Sequence, residues 1–259
     1  MTLAPILLFT YNRPQHTRQT LNALLENKLC QESELFVFSD GFKGEEDKKE
    51  VMEVRRIIYN IKGFKKIHII EHSANLGLAK SIINGVTQVI EARGKVIVLE
   101  DDLITTPHFL TFMNEALHLF EKEERVGHVH GYCYPLPELP DAFLIKWTGS
   151  WGWGTWERAW KLFNPDGQVL LSEIERRGLA KEFDFNGRYP YTRMLRRQVK
   201  GENNSWAIRW NASLFLNDVL SVNAGKSLVR NIGFDGSGTH SSDQDIYATN
   251  LHNKKLTIH

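Results

Sequence analysis

A chain of 259 residues is long enough for one large α/β domain with a sizeable core. Its 32 Lys and Arg against 31 Asp and Glu leave a formal net charge of +1, which excludes the broad basic field of a nucleic-acid binder and the acidic excess of a disordered tail. The two cysteines, Cys30 and Cys133, make neither a disulfide framework nor a zinc pattern, no window approaches the ~20 apolar residues of a membrane span, and the N-terminus lacks the layout of a signal peptide, so the expectation is a soluble, cytoplasmic protein.

The first half alternates between short apolar runs and amphipathic ones. "APILLFT" (4–10) reads as a buried strand, and "RPQHTRQTLNALLEN" after it as a helix with Pro14 near its start and Leu21, Leu24 and Leu25 at helical spacing. "ELFVFSDG" (34–41) is a second strand stopped by Asp40-Gly41, and "EEDKKEVMEVRRIIYNI" a charged helix with Val51, Val54, Ile57 and Ile58 on one face. "KKIHIIEH" (65–72) is a third strand, "ANLGLAKSIINGVTQVIEA" a third helix, "KVIVLEDD" a fourth strand and "PHFLTFMNEALHLFEKE" a fourth helix opened by Pro107. Strand and helix in alternation predict an α/β fold with a mostly parallel sheet covered on both faces.

The second half loses this rhythm. "GHVHGYCYPLPELP" reads as a strand and a Pro-rich loop, and "WTGSWGWGTWERAW" as a Gly/Trp loop entering a helix. Helices follow at about 168–178, 188–200 and 204–217, then short β pieces near 219–231 and the loop "GFDGSGTHSSDQD". With no internal repeat and no long linker, 1–259 reads as a single domain of two lobes, 1–125 and 126–259.

Ligands of open α/β sheets bind outside the carboxyl ends of the strands. The polar residues there are Thr10, Asn12 and Arg13 after strand one, Asp40 after strand two, Glu71, His72 and Asn75 after strand three, and Glu100, Asp101 and Asp102 after strand four. Three adjacent carboxylates behind the apolar run Val96–Leu99 repel one another and call for a positive partner. Strand alternation points Glu100 and Asp102 one way and Asp101 the other. Hard oxygen donors of this kind suit Mg²⁺ or Mn²⁺ held jointly with substrate phosphates. Capping of the next loop or helix is the plainer alternative for one acid, and explains three poorly. His128, His130 and Cys133 alternate on a strand, which fits pleat geometry better than a zinc site with no evident fourth ligand.

The segments "LLFTYNRPQHTRQTLNALLEN", "FSDG", "HSANLGLAKSIINGV" and "VLEDDL" occur in this order and spacing. In them the chain resembles the GT-A-fold nucleotide-sugar glycosyltransferases, being similar to bacterial family-two-like polysaccharide enzymes and, in the acidic triplet, to N-acetylglucosaminyltransferase I. "GSWGWGTWERAWKLF" and the segment from "SWAIRW" to "NIGFDGSGTH" extend the resemblance into the second half. It implies that Thr10, Asn12 and Arg13 sit beside the base and ribose of a UDP-sugar donor, that Asp40 contacts the uracil, and that Asn75 and Lys80 belong to a turn closing over the nucleotide. It further implies Asp101 on the ribose side, Asp102 as metal ligand, Glu100 as a supporting member of the nucleotide-sugar-binding set, and His240 as a late addition to the metal or phosphates. For each a bland role competes: turn and cap chemistry for Asn12, Arg13 and Asp40, and solvent exposure for Lys80 and His240.

The acceptor would be a glycan or lipid-linked glycan. Sugars stack their C–H faces on aromatic rings, and glycine lets backbone approach a ligand, so Trp151, Gly152 and Trp153 suit a sugar platform, a Trp-rich core turn being the alternative. Trp156 and Trp160 read as core residues four apart on the next helix. An inverting transfer needs a general base for the acceptor hydroxyl. The resemblance implies an Asp at or just before Ser205, where this chain has Asn203 and Asn204. Glu202 is the nearest acid and Asp184 the other candidate; helix N-terminal charge matching would equally account for Glu202. A sugar nucleotidyltransferase would need a Gly-rich loop after strand one, which "TYNRPQHTRQT" lacks, and a phosphoacceptor domain needs only about half this length. A non-catalytic nucleotide-sugar or glycan-binding protein remains the rival reading. The basic stretch "RMLRRQVK" (193–200) could touch an anionic lipid surface at the membrane's inner face, although such stretches are more often solvated helix faces.

Overall fold

In the computed structural model, which describes residues 2–136, 138–235 and 249–258, the alternating first half forms as its pattern dictates. β1 (Ile6–Thr10), β2 (Glu34–Ser39), β3 (Lys66–Glu71) and β4 (Lys95–Glu100) alternate with α1 (Pro14–Leu25), α2 (Glu45–Asn60) and α3 (Leu78–Arg93), and a short β5 (Leu103–Thr105) precedes α4 (Phe109–Leu119). Pro14 opens α1, where its missing N–H costs nothing. Glu45, Glu46 and Asp47 fill the first turn of α2, matching the positive end of the helix dipole. Gly94 ends α3 in the left-handed conformation at φ +77°.

The second half supplies β6 (Val126–His130), β7 (Ala142–Ile145), β8 (Trp153–Trp156), β9 (Leu220–Ala224) and β10 (Val229–Asn231), with α5 (Glu157–Trp160), α6 (Gly167–Arg176), α7 (Ala180–Phe183), α8 (Tyr191–Val199) and α9 (Trp206–Leu216). Eight strands form one sheet in the order β3-β2-β1-β4-β8-β6-β9-β7, while β5 and β10 pair separately. β8 is antiparallel to both β4 and β6, and β7 is antiparallel to β9; the other six strands share one direction. This is the mostly parallel, Rossmann-like α/β sheet flanked by helices that the alternation predicts, and it is in keeping with a GT-A-like fold. No described helix is long and apolar enough to cross a membrane.

Pleat geometry divides the core. Ile6, Leu8, Leu35, Val37, Ile97 and Leu99 face α1, α2 and α4, whereas Leu7, Phe9, Phe38, Val96 and Val98 face α3 and the Trp-rich elements. A third cluster joins α6, α7, α8 and α9 through Leu170, Ile174, Phe183, Leu195 and Phe215.

Register fixes the functional edge. Thr10 is level with Ser39, Ser39 with Glu71, and Phe9 with Glu100. Across the sheet Trp153 is level with both Val98 and His130, so the start of β8 meets the same edge. Chain order reverses between β1 and β4, which makes that junction the topological switch point.

Two expectations from the sequence change here. The Gly/Trp segment contains strand β8 before its helix, so Trp156 closes a strand instead of opening a helix. Trp153 is not a sugar platform: it is fully buried, stacked on Trp206 with ring centroids 5.1 Å apart and on His128 at 5.5 Å. Trp153→Ala is therefore expected to lower stability by about 3–5 kcal/mol in equilibrium urea unfolding, and Trp151→Ala, which truncates a half-buried ring, by less than half as much.

Candidate functional site

The acid triplet meets its positive partner inside the chain. Arg13, in the loop after β1, places Nη2 2.5 Å from Asp101 Oδ1 and 3.0 Å from Asp102 Oδ2. β4 ends at Glu100, and Asp101 and Asp102 lie in the turn beyond it, so the alternation expected of them is broken and both carboxylates turn to one guanidinium. The backbone holds this arrangement on three sides. Tyr11 N–H donates to Asp101 Oδ2 at 3.2 Å, Thr20 of α1 donates to the Asp101 carbonyl at 2.8 Å, and Ile232 N–H donates to the Asp102 carbonyl at 2.8 Å. The Tyr11 hydroxyl in turn bonds Asp47 at the start of α2.

One guanidinium does not balance three acids. Burial, reinforced by Asp102 and Asp101, pushes the Glu100 carboxyl well above the usual carboxylate range, with Arg13 opposing. Burial also raises Asp101; Arg13 opposes it and Asp102 adds to it. Burial disfavours the Arg13 charge, but the two aspartates outweigh it and hold the guanidinium above its ordinary value. Burial thus disfavours the ionised carboxylates of Glu100 and Asp101, and a further cation would favour them.

Among the described residues no group of three or more His, Cys, Asp or Glu side chains forms a ready-made metal cage. Carboxylates are nonetheless the hard donors that Mg²⁺ and Mn²⁺ take, ordinarily one or two of them together with substrate phosphates. The donor set fits a cation in that shared form only, with Asp102 beside oxygens brought by a substrate. His240 lies outside the described residues.

The remaining donor-side residues divide. Thr10 is buried at the end of β1 and bonds the Phe38 carbonyl at 3.4 Å. Asn12 is half-buried, with its amide uncommitted among the described residues. Asp40 is spent on its own surroundings: Oδ1 accepts from Leu76 N–H at 2.9 Å and Gly41 N–H at 3.0 Å, and Oδ2 from Gly77 N–H at 2.9 Å. It thereby shapes the 75–77 turn, helped by Asn75, which donates to the Gly41 carbonyl at 2.8 Å. Gly41 is required there, since a Cβ would fall 2.4 Å from the Ala74 backbone. Lys80 is exposed in the first turn of α3.

Two organising residues escaped the sequence reading. Arg55 of α2 donates to the His72 carbonyl at 2.8 Å and pairs with Glu71 at 3.3 Å, tying the ends of β2 and β3 together. Its signal was position: it shares the buried face of Val51, Val54 and Ile58. Gly233 is the other. A Cβ there would meet Asp102 Oδ2 at 2.4 Å, so a larger residue would push that carboxylate, and with it the Arg13 pair, aside.

An aromatic wall forms at the end of β6. Trp151 packs edge-on against Tyr132 at 4.7 Å and Phe234 at 5.6 Å, and His130 against Trp147 at 5.4 Å. Gly152 does not open space for a ligand: at φ +66° its free side faces Val229 and Phe109. Neither candidate base is uncommitted. Glu202 is exposed and pairs with Arg197 at 3.0 Å, and Asp184 Oδ1 accepts from Thr192 N–H and Oγ1 at 2.6 and 2.8 Å. Asn204 Oδ1 accepts from Arg209 at 3.3 Å.

No family model matches the sequence, and no curated protein matches it. Among solved structures, S. aureus TarS aligns at 15% identity and a TM-score of 0.36, covering 53% of this chain and 23% of that one. Residues 1–349 of S. aureus TarS align at 14% identity and a TM-score of 0.42, over 67% of this chain and 49% of that one. A cytidylyltransferase from Leptospira borgpetersenii serovar Hardjo-bovis aligns at 12% identity and a TM-score of 0.38, over 62% and 64%. The chain thus spans less than two thirds of each, and at TM-scores below 0.5 these likenesses decide neither family nor activity.

Beneath the aromatic wall His128 and His130 are buried in opposite tautomers. The indole N–H of Trp210 can only donate, so His128 Nδ1 accepts it at 3.1 Å; Asn223 donates to Ser221 and turns its oxygen to His130 Nδ1, which carries the proton. Burial lowers both pKa values, His130 from 6.5 to about 4. Between those values the unfolded chain takes up a proton that the folded chain refuses, so stability is complete above about pH 6.5 and falls as pH drops towards 4. The expected loss is up to roughly 3 kcal/mol from His130 alone, read as the difference between wild type and His130→Gln in urea midpoints measured across that range.

Proposed function

We propose that the chain is an inverting, metal-dependent glycosyltransferase that moves a sugar from a UDP-sugar to a hydroxyl of a glycan or lipid-linked glycan. The observation that carries this reading is the cluster of three acids, Glu100, Asp101 and Asp102, against the single guanidinium of Arg13 at the switch point of a mostly parallel sheet. That is where such sheets take nucleotides, and a surplus of hard carboxylates suits a cation shared with a diphosphate. Bound Mn²⁺ or Mg²⁺ would neutralise the diphosphate as it departs.

The chain's own residues do the rest. Asp102 would hold the ion, with His240 as a second candidate. Thr10, Asn12, Arg13, Glu100 and Asp101 would line the ribose and base, with Lys80 nearby and the turn shaped by Asp40 and Asn75 closing over them. Trp151, edge-on to Tyr132 and Phe234, would offer the acceptor an aromatic face. Glu202 would take the proton of the attacking hydroxyl, after leaving Arg197; Asp184 is the alternative.

A panel of UDP-sugars tests this by thermal shift and hydrolysis. At least one is expected to raise the melting temperature with Mn²⁺ and not with EDTA. Asp102→Ala should lose that shift and at least about a hundredfold in turnover, a loss of the size that removing one charge-stabilising group brings. Full turnover of Asp102→Ala in EDTA would refute the proposal.

One observation favours a second reading, a non-catalytic nucleotide-sugar or glycan-binding protein: Asp184 after α7 and Glu202, Asn203 and Asn204 before α9 all have partners. If Glu202 is the base, Glu202→Gln lowers transfer by about 10²–10⁴-fold with donor affinity unchanged. In the second reading the wild type binds UDP in calorimetry without transfer or donor hydrolysis, and Asn204→Asp is the change that would create transfer.

A further inference from the structure

We infer that Arg13 is the resident cation of the acid cluster and that a divalent ion enters by exchange with it, so that nucleotide and metal bind as a coupled pair. The inference rests on the donor reading above and adds to it an order of events.

A single nitrogen, Arg13 Nη2, touches both Asp101 Oδ1 and Asp102 Oδ2. The position between the two carboxylates, where a bound ion would neutralise them, is thus already held by guanidinium donors. The chain after β10 runs along the other side of Asp102. Ile232 N–H is fixed on the Asp102 carbonyl at 2.8 Å, and Gly233 follows so tightly that a Cβ would lie 2.4 Å from that oxygen. A divalent ion sharing Oδ2 with the guanidinium would be repelled by it at a few ångströms.

An arriving anion offers Arg13 another charged partner. The arginine stands at the start of α1, half-buried, with its side chain 19% exposed and its main chain anchored by the Arg13 carbonyl, which accepts from Thr17 N–H and Oγ1. Its fork matches a phosphate as well as a carboxylate. When a nucleoside diphosphate enters, Arg13 turns to it, Asp102 is released, and the ion finds one carboxylate and the new phosphate oxygens together. Without nucleotide the ion must break the Arg13 pair with nothing in return. The coupling is reciprocal, so the ion strengthens nucleotide binding by the same factor.

Mn²⁺ titrations followed by electron paramagnetic resonance, with and without UDP, test the exchange in wild type, Arg13→Gln and Arg13→Lys. Wild type is expected to bind Mn²⁺ weakly alone and at least about tenfold more tightly with UDP. Arg13→Gln without UDP should bind at least about tenfold more tightly than wild type without UDP, and its UDP effect should shrink. Arg13→Lys, with the charge but not the fork, should fall between them. If Arg13→Gln does not fold, as judged by circular dichroism, Arg13→Lys decides alone. Arg13 variants that bind Mn²⁺ no better than wild type, while wild type responds to UDP, would overturn the exchange and leave the donor reading standing. Wild type that takes up no Mn²⁺ even with UDP would remove the donor reading and the exchange with it.

Discussion

The pairing of Arg13 with Asp101 and Asp102 is the constraint on which the cleft depends. Three buried or half-buried carboxylates beside one another are expensive unless something positive meets them, and breaking one partner out of such a group leaves a charge that the interior cannot solvate. The pair also joins the two strands at the switch point, because Arg13 follows β1 and the aspartates follow β4. Around it the main chain is pinned from elements far apart in sequence: Tyr11, Thr20 and Ile232 all bond the Asp101–Asp102 unit. The electrostatic need and the local geometry therefore specify each other.

The segment after β10 joins this cluster to the aromatic residues at the end of β6. Gly233 lies against Asp102, and the next residue, Phe234, packs on Trp151. The donor-side acids and the aromatic wall are thus linked by two consecutive residues. The aromatic wall in turn stands on Trp153, His128 and Trp210, whose burial makes the start of β8 rigid.

The first half of the fold was legible because each buried strand is a run of four or more apolar residues and each helix carries a single apolar face. The second half was not. β8 is four residues with a glycine inside, and what makes it a strand is the pairing of Val98 and His130 on either side of Trp153, a tertiary fact with no local signature. The site divides in the same way. The strand-end set was legible from topology alone, but the direction of Asp101 and Asp102 was not, because alternation holds only while the strand lasts and β4 stops at Glu100. Asp40 illustrates a second limit. A sequence shows a carboxylate at a strand end, not that the backbone N–H groups of residues 41, 76 and 77 have claimed it. Arg55 was hidden in a helix read as merely charged, although its place on the apolar face was visible.

The two sides of the proposed reaction are unequally supplied, and the inequality is chemical. On the departing side there is more carboxylate than Arg13 can balance, an arrangement that costs stability and makes sense where a further cation is to be taken up. On the attacking side Glu202, Asp184 and Asn204 are each engaged with a neighbour, and only Glu202 is held by a surface ion pair, the weakest of these bonds and the one a substrate could most easily displace. A site that binds a nucleotide diphosphate needs only the first side; one that transfers a sugar needs both. The chain's investment in the acid cluster is therefore common to either reading, and the difference between them rests on whether the Glu202–Arg197 pair opens when an acceptor hydroxyl arrives.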